Sequence, residues 1–144
     1  MVSGKTVFNK VVCDSHLELR FAQYLDRATD VVAFAKNYVA INFFLEYVRF
    51  GGEMAHYYPD FLVRTSNGAV YVVETKGLED LEVLPKWDRL KSWCEDASRV
   101  AGTTIRPVYV AQSDFDDLES RYGTMHDIAE SLKDRVPAQA TPKS

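Results

Sequence analysis

The stretch Tyr57–Gly77 reads Y-Y-P-D-F-L-V-R-T-S-N-G-A-V-Y-V-V-E-T-K-G and decides the fold. It holds two runs of β-branched and aromatic residues joined by Ser66-Asn67-Gly68, which is the pattern of two strands in a hairpin. Charged residues interrupt both runs: Asp60 lies in the first, and Glu74 and Lys76 lie in the second. Charged side chains are seldom buried in strands unless they are paired, so these three are the first candidates for function.

The length of the turn decides which side chains share a face of the hairpin. A two-residue Asn67-Gly68 loop would place Asp60 opposite Thr75, and Asp60 and Glu74 would then point to opposite faces. A three-residue loop with Gly68 in the left-handed conformation forms a bulge and shifts the pairing by one residue. We predict this second register, in which Asp60 faces Glu74. The other residues predicted on that face are Tyr58, Leu62, Val70, Val72 and Lys76.

This register brings two negative charges together. Like charges opposite each other destabilise a sheet, so stability alone would not favour the pairing of Asp60 with Glu74. A divalent cation removes the objection, because Mg²⁺ is commonly held by one or two carboxylates together with phosphate and water. The structural alternative is a hairpin in which Lys76 forms a salt bridge with one of the two carboxylates.

With these residues the chain resembles the PD-(D/E)xK nuclease superfamily, in the form Pro59-Asp60 … Glu74-Thr75-Lys76. Within that superfamily it is most like the endonuclease domain of type III restriction enzyme cleavage subunits. Three further groups carry this likeness: Ser15-x-x-Glu18, Phe34-x-Lys36-Asn37 and Trp93-Cys94-Glu95. The resemblance implies an α/β fold with a restriction-endonuclease-like α-β-β-β-α-β core, in which helices flank a mixed central sheet.

The resemblance also implies an activity, that of an Mg²⁺-dependent endodeoxyribonuclease in which Mn²⁺ can replace Mg²⁺. Asp60, Glu74 and the carbonyl of Thr75 would hold the metal, and Glu18 would support it directly or through water. Lys76 would position the attacking water and offset charge in the transition state. Glu18 has a competing explanation, since Ser15 and Glu18 also fit a capping box at a helix start.

Four basic residues are candidates for contact with DNA. Lys36 belongs to a group shared with the type III domains, and its alternative is an exposed lysine at a sheet edge. Lys86, Arg89 and Lys91 lie near the start of a predicted helix, where a solvated helix face is the alternative.

The composition is that of one globular domain. A chain of 144 residues with 47% hydrophobic and 26% charged residues can bury a sizeable core. We assign residues 1–136 to the nuclease domain and 137–144 to a disordered tail. No apolar run is long enough to cross a membrane, and no secretory signal is evident, so a cytoplasmic location with Cys13 and Cys94 reduced is expected.

The net charge of −4 bears on the partners. Lys and Arg supply most non-specific affinity for DNA, so an acidic chain needs another component to deliver its substrate. The resemblance implies a helicase/ATPase motor and a modification subunit. The chain lacks the G-x-x-x-x-G-K-[ST] motif, so other chains or a missing N-terminal region would supply the motor. A homodimer would provide the two sites needed to cut both strands.

Two other functions compete with this hypothesis. A junction resolvase or transposon end-cleaving nuclease would share the fold but act on other DNA. A catalytically silent nucleic-acid-binding or assembly module would keep the fold without the chemistry. Other enzyme classes are disfavoured, because His16, His56 and His126 form no metal-binding pattern and no G-x-S-x-G motif is present.

The pattern predicts the remaining elements as follows. A helix begins at Ser15 and runs to about Ala28, and Val31–Ala35 and Tyr38–Tyr47 are strands. Arg49–Glu53 forms a turn that leads into the hairpin. A long helix with Pro85 in its first turn ends at Gly102, Ile105–Ala111 is a strand, and two short helices, capped by Ser113-Asp114 and by Thr124, run to Tyr122 and about Arg135.

Overall fold

A computed structural model describes residue 5 and residues 15–37, 43–76 and 82–137, with only the backbone for residue 76. The elements in this part of the chain are, in order, α1 (His16–Arg27), β1 (Val31–Lys36), β2 (Leu45–Val48), β3 (Met54–Tyr57), β4 (Phe61–Thr65), β5 (Val70–Lys76), α2 (Val83–Ala101), β6 (Ile105–Ala111), α3 (Gln112–Leu118) and α4 (Met125–Leu132).

Within the described residues, the central sheet has four strands in the order β1-β4-β5-β6. The pairs β1–β4 and β4–β5 are antiparallel, whereas β5 and β6 are parallel. The sequence α1-β1-β4-β5-α2-β6 therefore confirms the predicted α-β-β-β-α-β core with a mixed sheet. Because α2 joins two parallel strands, the connection is expected to be right-handed.

The register of the β4–β5 hairpin is the predicted one. Phe61 pairs with Val73 and Leu62 with Val72. The Thr65 N–H donates to the Ala69 carbonyl at 2.9 Å, which leaves three residues in the loop, and Gly68 has a φ of 87°. The alternative two-residue loop is therefore wrong. A left-handed residue at this point is what shifts the pairing by one position.

The two faces of the central sheet pack against different helices. One face and helices α1, α3 and α4 enclose a core that includes Phe21, Phe61, Val63, Tyr71, Val73, Phe115 and Ile128. The other face packs against α2 through a second cluster that includes Leu45, Tyr57, Val72, Trp87, Leu90 and Tyr109. The strand alternation of period two assigns Val72 to the α2 side and Val73 to the α1 side. Glu74 follows Val72 in that alternation and belongs to the α2 side.

An inserted hairpin, β2–β3, lies between β1 and β4, and its first strand overlaps the end of the predicted strand Tyr38–Tyr47. β2 and β3 pair in a separate two-stranded sheet, and their turn contains Gly51 and Gly52 with φ of 113° and 92°. The strand predicted to begin at Tyr57 is divided, because Pro59 has no N–H to continue a ladder. Residues 38–42 of the predicted strand Tyr38–Tyr47 lie outside the described residues.

The helix ends agree with their capping signals in three of four cases. Ser15 and Glu18 form a capping box on α1, Gly102 ends α2 with a φ of 67°, and the Thr124 side chain caps α4. The predicted cap of α3 is wrong. That helix begins at Gln112 directly after β6, with Ala111 as its cap residue, so Ser113 lies inside it.

Two other predictions concern the C-terminal tail and membrane-spanning segments. Pro137 is buried, and residues 138–144 of the predicted tail lie outside the described residues. Among the helices that the structure describes, none has both the length and the hydrophobicity to cross a membrane.

Candidate active site

Asp60 lies in an irregularity where β4 begins. Its N–H donates to the Val73 carbonyl at 3.0 Å, although Phe61 is the residue paired with Val73. Two successive residues therefore face one, as in a β-bulge, so Asp60 lies outside the ladder and is not paired directly with Glu74 as the register predicted. The Asp60 carboxylate turns toward β5, where its Oδ2 accepts hydrogen bonds from the Thr75 N–H at 2.8 Å and the Thr75 hydroxyl at 2.9 Å.

The negative charges of Asp60 and Glu74 act on each other. Glu74 is 4% exposed. Burial, and after it the charge of Glu74, raise the pKa of Asp60 to about 6, although the two bonds from Thr75 act in the opposite direction. A neighbouring like charge disfavours full ionisation of the pair, which is the situation that a bound cation relieves.

Glu18 forms the predicted capping box and also lies beside Lys36 and Asp60. Its Oε2 accepts from the Ser15 N–H at 3.1 Å, and its own N–H donates to the Ser15 Oγ at 3.1 Å, which completes the capping box. Its Oε1 lies 3.6 Å from the Lys36 Nζ. The Glu18 side chain is also hydrogen-bonded with Asp60 and lowers the pKa of that group. The helix cap therefore brings a third carboxyl group to Asp60.

Lys36 is buried, so its interpretation as an exposed edge lysine is wrong. The residue is 6% exposed, and its Nζ donates to the Asn37 carbonyl at 2.8 Å besides pairing with Glu18. Among the described strands, β1 lies at the edge of the central sheet. Its end is nevertheless covered, because the Asn37 Nδ2 donates to the carbonyls of Phe43 and Pro59, both at 2.9 Å. These bonds draw the neighbouring segments over the end of β1 and enclose the lysine.

Tyr57 contacts the acidic site, although the sequence pattern does not single it out. Its hydroxyl donates to the Glu74 Oε2, and the residue is 4% exposed. Burial, and then the negative charge of Glu74, hold the pKa of this hydroxyl well above its usual value, so it remains a donor. Its position two residues before Pro59-Asp60 was the one available signal.

The three basic residues of α2 lie in different surroundings. The Lys86 Nζ lies 5.9 Å from the ring centre of Tyr47 and 6.0 Å from that of Tyr57. The Arg89 Nε donates to the Glu46 carbonyl at 3.0 Å, and the Lys91 Nζ lies 3.8 Å from Asp88. Of these three, the structure brings only Lys86 to the site.

A small cavity lies between the Tyr57–Glu74 pair and α2. It is lined by Tyr57, Glu74, Val83, Lys86, Trp87 and Pro137, and its volume is about 10 Å³. That is room for one water molecule and far too little for a nucleotide. The buried Trp87 Nε1 has no hydrogen-bond partner among the described residues, so a water in the cavity would have a donor to bind.

The donor set suits a hard divalent cation without forming a complete cage. Within residues 15–37, 43–76 and 82–137, no three His, Cys, Asp or Glu side chains are arranged as a preformed metal centre. Mg²⁺ does not require one, because it keeps several waters and commonly takes one or two carboxylates. The carboxylate oxygens of Asp60 and Glu74 are donors of the kind that such an ion prefers, and a bound cation would offset the repulsion between the two groups.

Lys76 is the last residue of β5, and its backbone pairs with Ala111 of β6. Its predicted role belongs to the side chain, which lies outside the described part of the chain. The roles assigned to Glu18, Asp60, Glu74, Thr75 and Lys76 stay predictions.

The mixed sheet and the acidic pair at the start of β4 and the end of β5 are features of a restriction-endonuclease-like nuclease. A protein-family model described as an endonuclease domain matches residues 4–101. The match covers more than half of the chain, so the chain belongs to this endonuclease domain family. Searches of curated proteins and of solved structures gave no match.

Proposed function

We propose that this chain is an Mg²⁺-dependent endodeoxyribonuclease that hydrolyses phosphodiester bonds in DNA, as the cleavage domain of a type III-like restriction system. The observation that carries the proposal is a pair of carboxylates, of which Glu74 is buried and Asp60 is partly buried and oriented by Thr75. Asp60 directly precedes β4, Glu74 lies in the adjacent β5, and the charge of Glu74 raises the pKa of Asp60. In a member of an endonuclease family, such a pair is best explained as a cation site.

Each residue of the site has a separate task in this proposal. Asp60, Glu74 and the Thr75 carbonyl would hold Mg²⁺ or Mn²⁺, and Glu18 would support it directly or through water. The ion supplies charge stabilisation at the phosphate and makes nearby water more acidic. The Thr75 N–H and hydroxyl fix one oxygen of Asp60, which orients that carboxylate in advance.

The two lysines differ in role. Lys76 would position the attacking water and donate hydrogen bonds to the charged transition state. Lys36 is buried against Glu18, so its ammonium group would balance the charge of the acidic cluster. Contact of Lys36 with a phosphate would require the DNA backbone to enter the site itself, whereas Lys86, Arg89 and Lys91 would meet DNA along α2.

Other components would supply targeting. The acidic chain favours delivery of DNA by a helicase/ATPase motor and recognition through a modification subunit. One cation site per chain cuts one strand, so a double-strand break would need a homodimer or two successive events. The buried thiol of Cys94 is unpaired, which suits a cytoplasmic enzyme.

A plasmid-nicking assay tests the proposal. Supercoiled DNA is incubated with the wild-type chain, Lys76→Ala, Glu74→Ala and the matched control Lys133→Ala, each with Mg²⁺ and with a chelator; Lys133 is an exposed lysine outside the proposed site. Nicking should depend on Mg²⁺, persist in Lys133→Ala and fall about 100-fold or more in the other two variants, because they lose transition-state stabilisation. Undiminished cleavage by Lys76→Ala or Glu74→Ala would remove the assignment.

Titration with Mn²⁺ separates the enzyme from a silent module of the same fold. The wild-type chain should show a calorimetric binding signal that disappears in Asp60→Asn. If the wild-type chain binds no cation, the domain is a scaffold. Branched and linear substrates, compared in the same assay, separate a restriction-type nuclease from a junction resolvase.

A further inference from the structure

The inserted hairpin β2–β3 reaches the acidic site through one side chain. Tyr57 is the last residue of β3, and its hydroxyl donates to the Glu74 Oε2. The two residues are 17 positions apart in the chain and belong to different sheets. The hairpin therefore contributes a polar contact to the core that the α-β-β-β-α-β elements alone do not provide.

The contact defines the orientation of the Glu74 carboxylate. The Tyr57 ring is packed with Val72 and Trp87 in the cluster beneath α2, so the hydroxyl has little freedom to move. A carboxylate that binds a cation needs a fixed rotamer, and hydrogen bonds to the ligand are the usual means. The bond from Tyr57 to Oε2 therefore fixes the direction in which the Glu74 carboxylate faces.

We propose that Tyr57 is a positioning residue for the cation site, which acts by holding Glu74 through its hydroxyl. This inference rests on the proposed function, because it assumes that Glu74 binds a divalent cation. The inserted hairpin would thereby contribute to the site: its packing on α2 fixes Tyr57, and Tyr57 orients the Glu74 carboxylate toward the cation.

The variant Tyr57→Phe tests the role of the hydroxyl, since it keeps the ring that packs under α2. Tyr47→Phe is the matched control, because Tyr47 is a buried tyrosine of the same hairpin whose ring lies equally close to Lys86. Affinity for Mn²⁺ is measured by titration calorimetry for both variants and the wild-type chain. Plasmid nicking is followed over a range of Mn²⁺ concentrations.

Tyr57→Phe should bind Mn²⁺ about 10- to 100-fold more weakly, as is typical when a partner of a metal ligand is removed. Nicking should need correspondingly more Mn²⁺, with most of the maximal rate recovered at saturation. Tyr47→Phe should match the wild-type chain in both measurements. A merely structural role of Tyr57 would instead lower the thermal midpoint and leave the cation affinity unchanged.

A double-mutant cycle in cation-free buffer gives a second measurement. Tyr57→Phe and Glu74→Ala, singly and together, should change the free energy of unfolding in urea non-additively if the hydroxyl and carboxylate are in contact. Additive effects would overturn the inference, even if one variant proved too unstable for cation titration.

The outcomes also distinguish this inference from the proposed function. If the wild-type chain binds Mn²⁺ and cuts DNA while Tyr57→Phe binds Mn²⁺ equally well, only the role of Tyr57 is overturned. If the wild-type chain binds no cation, the proposed function and the inference are overturned together.

Discussion

Asp60 lies where its negative charge reduces the stability of the folded protein. The side chain is partly buried, and burial and the charge of Glu74 raise the pKa of its carboxyl group to about 6. A charged group in this position destabilises the folded protein at neutral pH, although bonds from Thr75 reduce the effect. A bound cation would instead make the charged carboxylate stabilising, because it interacts favourably with both carboxylates.

We predict that the cation-free protein loses stability as the pH rises. The ordinary pKa of Asp60 is 3.8, and in the folded protein it is about 6. Between these values the folded state binds more protons than the unfolded state, so the free energy of unfolding falls with increasing pH. The loss of stability is complete above pH 6 and amounts to about 2–3 kcal/mol. This loss is measured by urea unfolding in the presence of a chelator, at pH values from 4 to 8 in steps of roughly one unit.

The control for this prediction is Asp60→Asn, which removes the titrating group but keeps an oxygen that can accept from Thr75. The variant should be more stable than the wild-type chain at pH 7 and above, and the difference should shrink toward pH 4. An unchanged pH dependence in the variant would mean that Asp60 is not the group responsible.

Glu18 permits a separation of helix capping from cation binding. Ser15→Ala removes the cap hydroxyl and should cost about 1 kcal/mol of stability, with cation affinity close to that of the wild-type chain. Glu18→Gln keeps an acceptor for the Ser15 N–H but removes the charge, so Mn²⁺ affinity should fall about tenfold or more. Urea unfolding and titration calorimetry give the two quantities. Equal losses of cation affinity in both variants would show that Glu18 acts through the cap alone.

Among the elements, the β4–β5 hairpin has the largest effect on the site, because its turn sets the register. The loop is closed by the Thr65 N–H bond to the Ala69 carbonyl, and the Asn67 Oδ1 accepts from the Ala69 N–H at 3.1 Å. Gly68 takes the left-handed conformation that this loop requires. A shift of one residue would send Asp60 and Glu74 to opposite faces of the sheet.

Gly68→Ala should therefore destabilise the protein by about 1–2 kcal/mol, the cost of a left-handed conformation for a residue with a Cβ. A Cβ at this position would meet no atom within 4 Å, so backbone strain is the whole effect. Gly123→Ala is the matched control, since it is equally open and does not have a positive φ. Urea unfolding should show a change within about 0.5 kcal/mol for the control. Equal losses in the two variants would contradict the role of the turn.

At the scale of the whole molecule, the charge distribution opposes independent DNA binding. The net charge is −4, and many basic side chains are engaged with acidic neighbours, among them Arg20 with Asp116 and Glu119, and Arg106 with Glu130. Each such pair leaves less positive charge for phosphate groups. These pairs therefore reduce the attraction that the chain by itself would exert on DNA.

We predict that the isolated chain binds a short DNA duplex weakly, with a Kd of about 1 µM or higher at physiological salt. The measurement is fluorescence anisotropy of a labelled duplex in the presence of a chelator, which prevents cleavage. Affinity should fall further as salt is added, but with a shallow slope, because few phosphate contacts are made. Nanomolar binding would show that the chain has a basic surface of its own and needs no delivering partner.

Much of the hairpin could be predicted from the sequence because its rules are local. Pro59 predicts the irregularity beside Asp60, and the position of Gly68 relative to the strands predicts a left-handed turn residue. Together they fix which residues of the two strands face each other. The physical reason is that backbone stereochemistry at one or two positions determines the pairing of their neighbours.

The burial of Lys36 and the bond from Tyr57 to Glu74 could not be predicted in this way. Both depend on the packing of chain segments that no local pattern relates: the segments held by Asn37 for the first, and the β2–β3 hairpin against α2 for the second. Sequence periodicity indicates which side of a strand is apolar, but not which distant side chain meets it. The acidic pair was thus determined by the sequence itself, whereas its surroundings follow from how separate elements pack together.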